Sequence, residues 1–418
     1  MNLFIETKGS KTIDKRPFEI VERKGLGHPD TISDAIAEKI SAAYSKYCLK
    51  EFGVVLRHMV DKIAVAGGST KVYFGGGKVM KPIKIYLNGR FTENYGENKI
   101  PFFEISRKVI FDHLKQVMPL IDINNDIVII DGTHSAPGPG VVWNEDGTSK
   151  NERKNFFSIP KKELIKNHSN KLRSNDTSTG VGYGFLSQTE SAVINTEEFL
   201  NSRKFKEKHP YVGTDIKVMA HRKDKNLSLT LCIPFISKFT PSSEFYFQKL
   251  DELRKIISEY VINHFSFFRS VDVFLNTRDD KSNDDYYLTL LGSALESGDE
   301  GAVGRGNRIN GVIPFTQRAT LEAACGKNPV YHVGKLYTVA SVKISEKIYD
   351  KLGIESIVYL VSQMGRPLSD PWNILIEIFV DNLDSKQETE IQKIISSQLA
   401  NLNQLTMDII DGKIRICS

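Results

Sequence analysis

Gly27-His-Pro-Asp-Thr-Ile-Ser-Asp-Ala-Ile-Ala-Glu-Lys-Ile-Ser-Ala-Ala43 is a glycine turn that runs into an amphipathic repeat. Ile32, Ile36, Ile40 and Ala43 recur at helical spacing, which predicts a helix from Pro29 to about Phe52. Pro29 suits the first helical position, where its missing N–H costs nothing. His28 and Asp30 then stand at the helix N-terminus, where free N–H groups and the helix dipole attract anions. A plainer reading of Asp30 is a first-turn acid that complements the dipole. Further on the period changes: Ile83, Ile85 and Leu87 alternate, as in a half-buried strand. One-sided helices beside one-sided strands imply sheets covered by helices on one face, an α+β architecture.

Outward from this pair the pattern continues. Residues 126–131 form a short apolar run, and Leu227, Leu229 and Leu231 alternate. Residues 271–276 and 374–380 are further strand candidates, and 243–267 and 386–402 read as long helices. Residues 144–175 are polar and aperiodic, which predicts a surface excursion or lid. A chain of 418 residues exceeds one hydrophobic core. We divide it into three α+β regions, 1–130, 131–290 (carrying the excursion) and 291–418, with interleaving expected and approximate boundaries.

Composition narrows the function. Hydrophobic residues at 40% and charged residues at 26% describe a soluble globular chain. A net charge of +5 suits a small anionic substrate without demanding nucleic acid. Cys48, Cys232, Cys325 and Cys417 lie far apart, which argues against zinc and disulfides and fits a cytoplasmic location. No run approaches the roughly 20 apolar residues of a membrane span, and the first residues lack the apolar stretch of a signal peptide.

The chemistry-bearing residues gather on glycine-broken segments. Ser297-Gly-Asp-Glu-Gly-Ala-Val-Gly-Arg-Gly-Asn-Arg-Ile-Asn-Gly311 and Gly326-Lys-Asn-Pro-Val-Tyr-His-Val-Gly-Lys335 hold Asp299, Arg305, Arg308, Lys327, His332 and Lys335. Arginine forks and lysine charges are the usual partners of phosphate oxygens. Carboxylates beside them would repel a phosphate unless a divalent cation lay between. The set reads as a site for a polyphosphate with magnesium, or else as a solvated turn of mixed charge. Asp215 and Lys217 are two apart. On a strand both would face one side, as an ion pair or as a lysine aimed at phosphate and held by its acid. Asp176 could accept from a ribose hydroxyl or a ligand ammonium, or only close its own Asx-turn. Gly75-Gly-Gly77 marks a tight bend or a ligand approach. Cys325 reads as a small buried thiol. Neither a P-loop nor a Rossmann fingerprint is present.

Together, Gly-His-Pro-Asp at 27–30, Gly-Thr-Asp-Ile-Lys-Val-Met at 213–219 and the two segments above resemble the S-adenosylmethionine synthases, in their archaeal type. The resemblance runs from about residue 17 to the C-terminus. It implies three similar α+β subdomains about a pseudo-threefold axis and a homodimer with active sites between subunits. It also implies synthesis of S-adenosylmethionine from ATP and L-methionine, releasing phosphate and diphosphate. By the same resemblance His28 contacts the triphosphate near its bond to the ribose, and Asp30 is a magnesium ligand. Lys217, Arg305 and Lys327 hold phosphates. His332 and Lys335 fall near another basic phosphate contact. Asp299 lies beside metal and adenosine, and Asp176 belongs to the methionine or adenosine pocket. Asp61 matches a potassium-binding acid of bacterial members. Gly138 and Gly140 align with a glycine loop assigned to ATP, with Asp215 and Arg308 among the nucleotide contacts. Residues 326–335 lack the acid that bacterial members carry there, and Trp143 stands where archaeal members more often place an acid. The competing readings are another magnesium-dependent kinase or ligase, whose products would be ADP or AMP, and a non-catalytic nucleotide- or RNA-binding module. No aromatic residues interleave Gly304-Arg-Gly-Asn-Arg308 to stack bases, and Asp299 and Glu300 oppose a nucleic-acid face.

Overall fold

The computed structural model describes residues 2–138, 140–151, 154, 157 and 172–417. Most of the polar stretch expected as an excursion lies outside them. The helix Pro29–Phe52 forms where the isoleucine repeat places it, and Ile32, Ile36 and Ile40 are fully buried. The strand Ile83–Phe91 buries Ile83, Ile85 and Leu87, and Asn226–Cys232 buries Leu227, Leu229 and Leu231. In both, the period of two delivers one face to a core.

Three sheets carry the fold, each backed by long helices on one face. In the first, Ile127–His134 runs parallel to Ile83–Phe91, which is antiparallel to Ala64–Ala66, itself antiparallel to Glu300–Ala302. In the second, Ser270–Leu275 runs parallel to Asn226–Cys232, followed by antiparallel Lys217–Lys223 and Phe18–Lys24. In the third, Leu3–Thr7 runs parallel to Asn373–Ile378, followed by antiparallel Ser356–Val361 and Thr179–Tyr183. Through four strands the sense of pairing is thus the same in all three, one parallel step and then two antiparallel ones, and in the second sheet Ile313–Pro314 adds a further antiparallel step on Phe18–Lys24.

The chain does not finish one sheet before starting the next. Phe18–Lys24 lies in the second sheet, yet the helix that follows it, Pro29–Phe52, packs on the core of the first. Thr179–Tyr183 lies in the third sheet, and the next helix, Gln188–Asn201, packs on the second core. Glu300–Ala302 lies in the first sheet, and the helix Val333–Leu352 packs on the third core. The first two strand-to-helix junctions therefore cross between layers, and between Glu300–Ala302 and Val333–Leu352 the chain also passes the second sheet, where Ile313–Pro314 pairs with Phe18–Lys24. Charged residues at the junctions are held where layers meet.

Three long helices are absent from the sequence reading, Phe102–Val117, Gln188–Asn201 and Val333–Leu352. Val333–Leu352 begins inside the segment read as a glycine-broken loop, so Gly334 and Lys335 are helical. A Cβ on Gly334 would stand 2.6 Å from Glu322 Cγ, which accounts for a glycine in a first turn. Gly75, at φ +88, turns the hairpin between Ser69–Tyr73 and Gly76–Lys81, as the bend reading requires. Cys325 is a buried free thiol in the third core. No described helix is long and apolar enough to cross a membrane.

Candidate active site

The strand Phe18–Lys24 ends in the turn Gly25-Leu-Gly27, tied to the neighbouring chain by Gly25 N–H to Ile216 O (2.8 Å) and Gly27 N–H to Thr214 O (3.0 Å). A Cβ on Gly27 would lie 2.3 Å from Thr214 Oγ1, so only glycine permits this approach. The turn delivers His28 as the cap of the Pro29–Phe52 helix. Its Nδ1 accepts the Asp30 N–H at 3.2 Å, filling one of the orphan donors of a helix start. Burial pushes the His28 pKa down to about 4. The Lys24 and Lys217 charges push it further, against the pull of Asp30 and Asp299. The ring is therefore neutral near pH 7, and because Nδ1 accepts, the proton sits on Nε2.

Cations surround this ring. Lys24 and Lys217 stand directly opposite each other on adjacent antiparallel strands. Like charges in that position repel, and acids absorb part of the strain. Lys24 Nζ bonds Asp30 Oδ2 (2.8 Å) and the Arg305 carbonyl (2.7 Å), and Lys217 Nζ lies 3.3 Å from Glu22 Oε2. The acid beside Lys217 is thus Glu22 rather than Asp215. Asp215 precedes the strand and turns inward, accepting Ala294 N–H at 3.0 Å, and burial pushes its pKa up to about 7. Arg305 Nε is 3.9 Å from Asp30 Oδ1, with its side chain 75% exposed. Asp299 is exposed and close enough for its charge to act on His28. The structure thus brings together His28, Asp30, Lys217, Asp299 and Arg305, and adds Lys24 and Glu22, which sequence reasoning missed.

A second omission is more instructive. Asp30, Asp34 and Glu38 recur every four residues, so they share one face of the helix. Each receives a different length of distant chain. Asp30 Oδ1 takes Ala302 N–H (3.1 Å), and Asp34 takes Gly304 N–H (2.8 Å) and Gly306 N–H (3.1 Å). Glu38 takes Gly326 N–H (3.0 Å) and the Lys335 ammonium (2.7 and 2.8 Å). The signal was available: acids at i, i+4 and i+8 on the helix whose apolar repeat had been read.

The Lys335 pair belongs to a second cluster. His332 caps the helix Val333–Leu352 as His28 caps its own, Nδ1 accepting Gly334 N–H at 3.2 Å. Burial, with the Lys327 charge, pushes its pKa down to about 3. Lys327 Nζ bonds Asp61 Oδ2 (2.7 Å) and Glu322 Oε1 (2.8 Å), and Lys62 also bonds Asp61 Oδ2 (2.8 Å). Lys327 is 4% exposed and Lys335 fully buried, so neither ammonium is presented to solvent as Lys217 and Arg305 are.

The remaining candidates lie apart. Asp176 is exposed and accepts its neighbour Thr177's N–H at 2.7 Å, as a loop-closing acid does. Gly138 and Gly140 adopt φ of +81 and +95 beyond the strand Ile127–His134. Arg308 bonds the Gly304 carbonyl at 3.0 Å and braces the loop that carries Arg305.

Among the described residues no group of three or more His, Cys, Asp and Glu forms a metal cage. A magnesium ion does not need one, since it commonly uses one or two carboxylates together with substrate phosphates. The hard oxygens of Asp30, with Asp299 near, fit that pattern. Asp61 Oδ2 is shared by the Lys62 and Lys327 ammonium groups, and Asp30 Oδ2 likewise takes the Lys24 ammonium, so a cation at either acid would displace a lysine.

A family model described as "S-adenosylmethionine synthetase (AdoMet synthetase)" matches residues 1–137 and 158–413. The chain is 37% identical over 423 residues to the S-adenosylmethionine synthase of Thermoplasma acidophilum, covering 99% of each chain. It is 36% identical over 418 residues to that of Pyrococcus furiosus, again covering 99% of each. Among solved structures, an unusual S-adenosylmethionine synthetase from Campylobacter jejuni shares the fold, with a TM-score of 0.61 at 12% identity. The match covers 96% of this chain and 94% of that one.

Proposed function

The chain belongs to the S-adenosylmethionine synthetase family and makes S-adenosylmethionine, and from that premise we propose that the reaction is carried out at the His28 helix start. The substrates are ATP and L-methionine. Methionine sulfur is a thioether with no proton to lose, so the site needs no general base. Sulfur attacks ribose C5′ in line, the C5′–O5′ bond breaks, and the electron pair leaves with the triphosphate. Negative charge grows on the departing oxygen. Neutral His28 with its proton on Nε2 is a donor of the kind that stabilises such an oxygen without itself becoming charged. Lys217 and Arg305 hold the phosphates. Such preorganised donors are worth about 3–4 kcal/mol each on the barrier, and in-line alignment supplies roughly 7–11 kcal/mol in favourable cases. The same cradle retains tripolyphosphate for hydrolysis to phosphate and diphosphate.

The observation that carries this reading is the pair Lys24 and Lys217, held opposite each other beside an uncharged histidine. Asp30 on Lys24 and Glu22 on Lys217 relieve part of the repulsion between them, and an anion beside the half-exposed Lys217 would relieve more. Magnesium, held by Asp30 with Asp299 beside it, would supply positive charge to the phosphates. In our reading Lys327, spent on Asp61 and Glu322, and Lys335, spent on Glu38, set the charge balance beside the site rather than hold phosphate themselves. Asp176, Gly138 and Gly140 are assigned to the nucleotide and methionine ends of the site.

We read the three sheets as three subdomains about a pseudo-threefold axis, on the strength of the pairing order that four strands of each share. The assembly we propose is a homodimer. Phe4, Leu375, Val128, Ile130 and Phe274 are exposed apolar residues on the helix-free faces of all three sheets, as an interface requires. The test of the site is His28→Ala, incubated with ATP, methionine and magnesium. S-adenosylmethionine formation should slow far more than ATP binding weakens. An unchanged kcat removes His28 from the reaction, and ADP or AMP as product removes the chemistry proposed.

A further inference from the structure

We propose that Asp34 is a positioning residue of this reaction, acting by clamping the turn that presents Arg305 and touching no substrate itself. The inference rests on the reading of Arg305 as a phosphate contact. Asp34 lies one helical turn beyond Asp30 and is 3% exposed. Its two carboxylate oxygens accept the N–H groups on either side of Arg305, Gly304 at Oδ1 and Gly306 at Oδ2. Arg305 itself is 75% exposed, so its packing does not fix it, and its place is set through its backbone. Two charge-assisted bonds from one rigid carboxylate fix both the position and the tilt of that backbone.

The loop is shaped for this grip. Gly304 adopts φ +90, which favours glycine, and a Cβ on Gly306 would lie 2.2 Å from Asp34 Oδ2. Arg308 closes the other side by bonding the Gly304 carbonyl. The helix uses the device again one turn on, where Glu38 takes Gly326 N–H next to Lys327. A side chain that must meet the charge growing on the departing triphosphate is sensitive to such anchoring, because a 1 Å misplacement can cost about 10²-fold in rate.

The test is a double-mutant cycle in steady-state S-adenosylmethionine formation by the full chain: parent, D34N, R305A and D34N/R305A. Asn keeps the size but turns one acceptor into a donor that faces an N–H. R305A should lower kcat by about 10²-fold. D34N should lower it by at least about tenfold with KM for methionine within about threefold, and in the R305A background it should cost less than about twofold more. Gly306→Ala, which pushes on the same carboxylate from the loop side, should reproduce the D34N loss and is read in its place if D34N does not fold. A D34N factor repeated undiminished in the R305A background marks a general structural role and overturns the proposal. D34N and Gly306→Ala at the parent's rate, with R305A slow, overturn it alone. R305A at the parent's rate overturns the phosphate reading and this proposal with it.

Discussion

His28 and His332 begin their helices in the same way. Each follows a glycine- or proline-broken segment, each accepts the N–H two residues on at 3.2 Å, and burial keeps each ring neutral. Their surroundings differ. Around His28 only Lys24 is spent, on Asp30, while Lys217 is 39% exposed and Arg305 75%. Around His332 they are consumed, Lys327 by Asp61 and Glu322 and Lys335 by Glu38. A count of basic residues therefore does not locate an anion site; the acids already attached to them do. A third start, Ser187 before the helix Gln188–Asn201, completes the contrast. It has a capping box with Glu190 and no histidine, and its polar groups are spent on Glu19, Arg222 and Tyr183.

The widest separation between the regions should come in stability. Lys335→Met leaves Glu38 buried and unpaired, and should cost about 3–5 kcal/mol in urea unfolding. Lys217→Ala should stay within about 1 kcal/mol, since its partner bond is partly solvated. Equal losses would erase the distinction between a closed ionic cluster and an open one. In catalysis the ranking inverts. His28→Ala should lower kcat by about 10²–10³-fold, and His332→Ala by about tenfold or less. Comparable kcat losses would place both histidines at the reacting bond.

The Ser187 start sharpens the contrast through pH. Burial pushes the Glu190 pKa up to about 8, against the Tyr183 and Ser187 hydrogen bonds. The folded state then holds a proton that the unfolded chain releases near 4.5. Relative to Glu190→Gln, the parent should lose stability as pH rises through that window, by at most about 1.4 kcal/mol per pH unit. Parallel profiles would mean that Glu190 is ionised when folded. The smallest effect belongs to the cap itself: Ser187→Ala should cost about 1 kcal/mol and leave kcat unchanged, where a changed kcat would make this third start part of the machinery.

Legibility varied by residue. The isoleucine repeat gave the Pro29–Phe52 helix, and period-two runs gave the strands Ile83–Phe91 and Asn226–Cys232. Val333–Leu352 was missed although its burial resembles that of Pro29–Phe52, because its first turn holds Gly334 and lies in a segment read as a glycine-broken loop. Leu3–Thr7 pairs with Asn373–Ile378, a partnership between chain ends that no local pattern announces. At the site, residue type and glycine spacing pointed to His28, Asp30, Lys217, Asp299 and Arg305. Asp34 and Glu38 were not singled out, because the partners that give them meaning lie 270 and 297 residues away.

The sequence alone settled what recurs within a few residues: helical and strand periods, glycine turns, a histidine at a helix start, and the motifs that mark the family. Those follow from local backbone sterics and side-chain spacing. Which lysines remain available and which are neutralised was decided by tertiary structure, because Lys335 meets Glu38 across 297 residues and Lys327 meets Asp61 across 266. A charge's effect falls with distance in space and with burial, and neither is ordered along the chain.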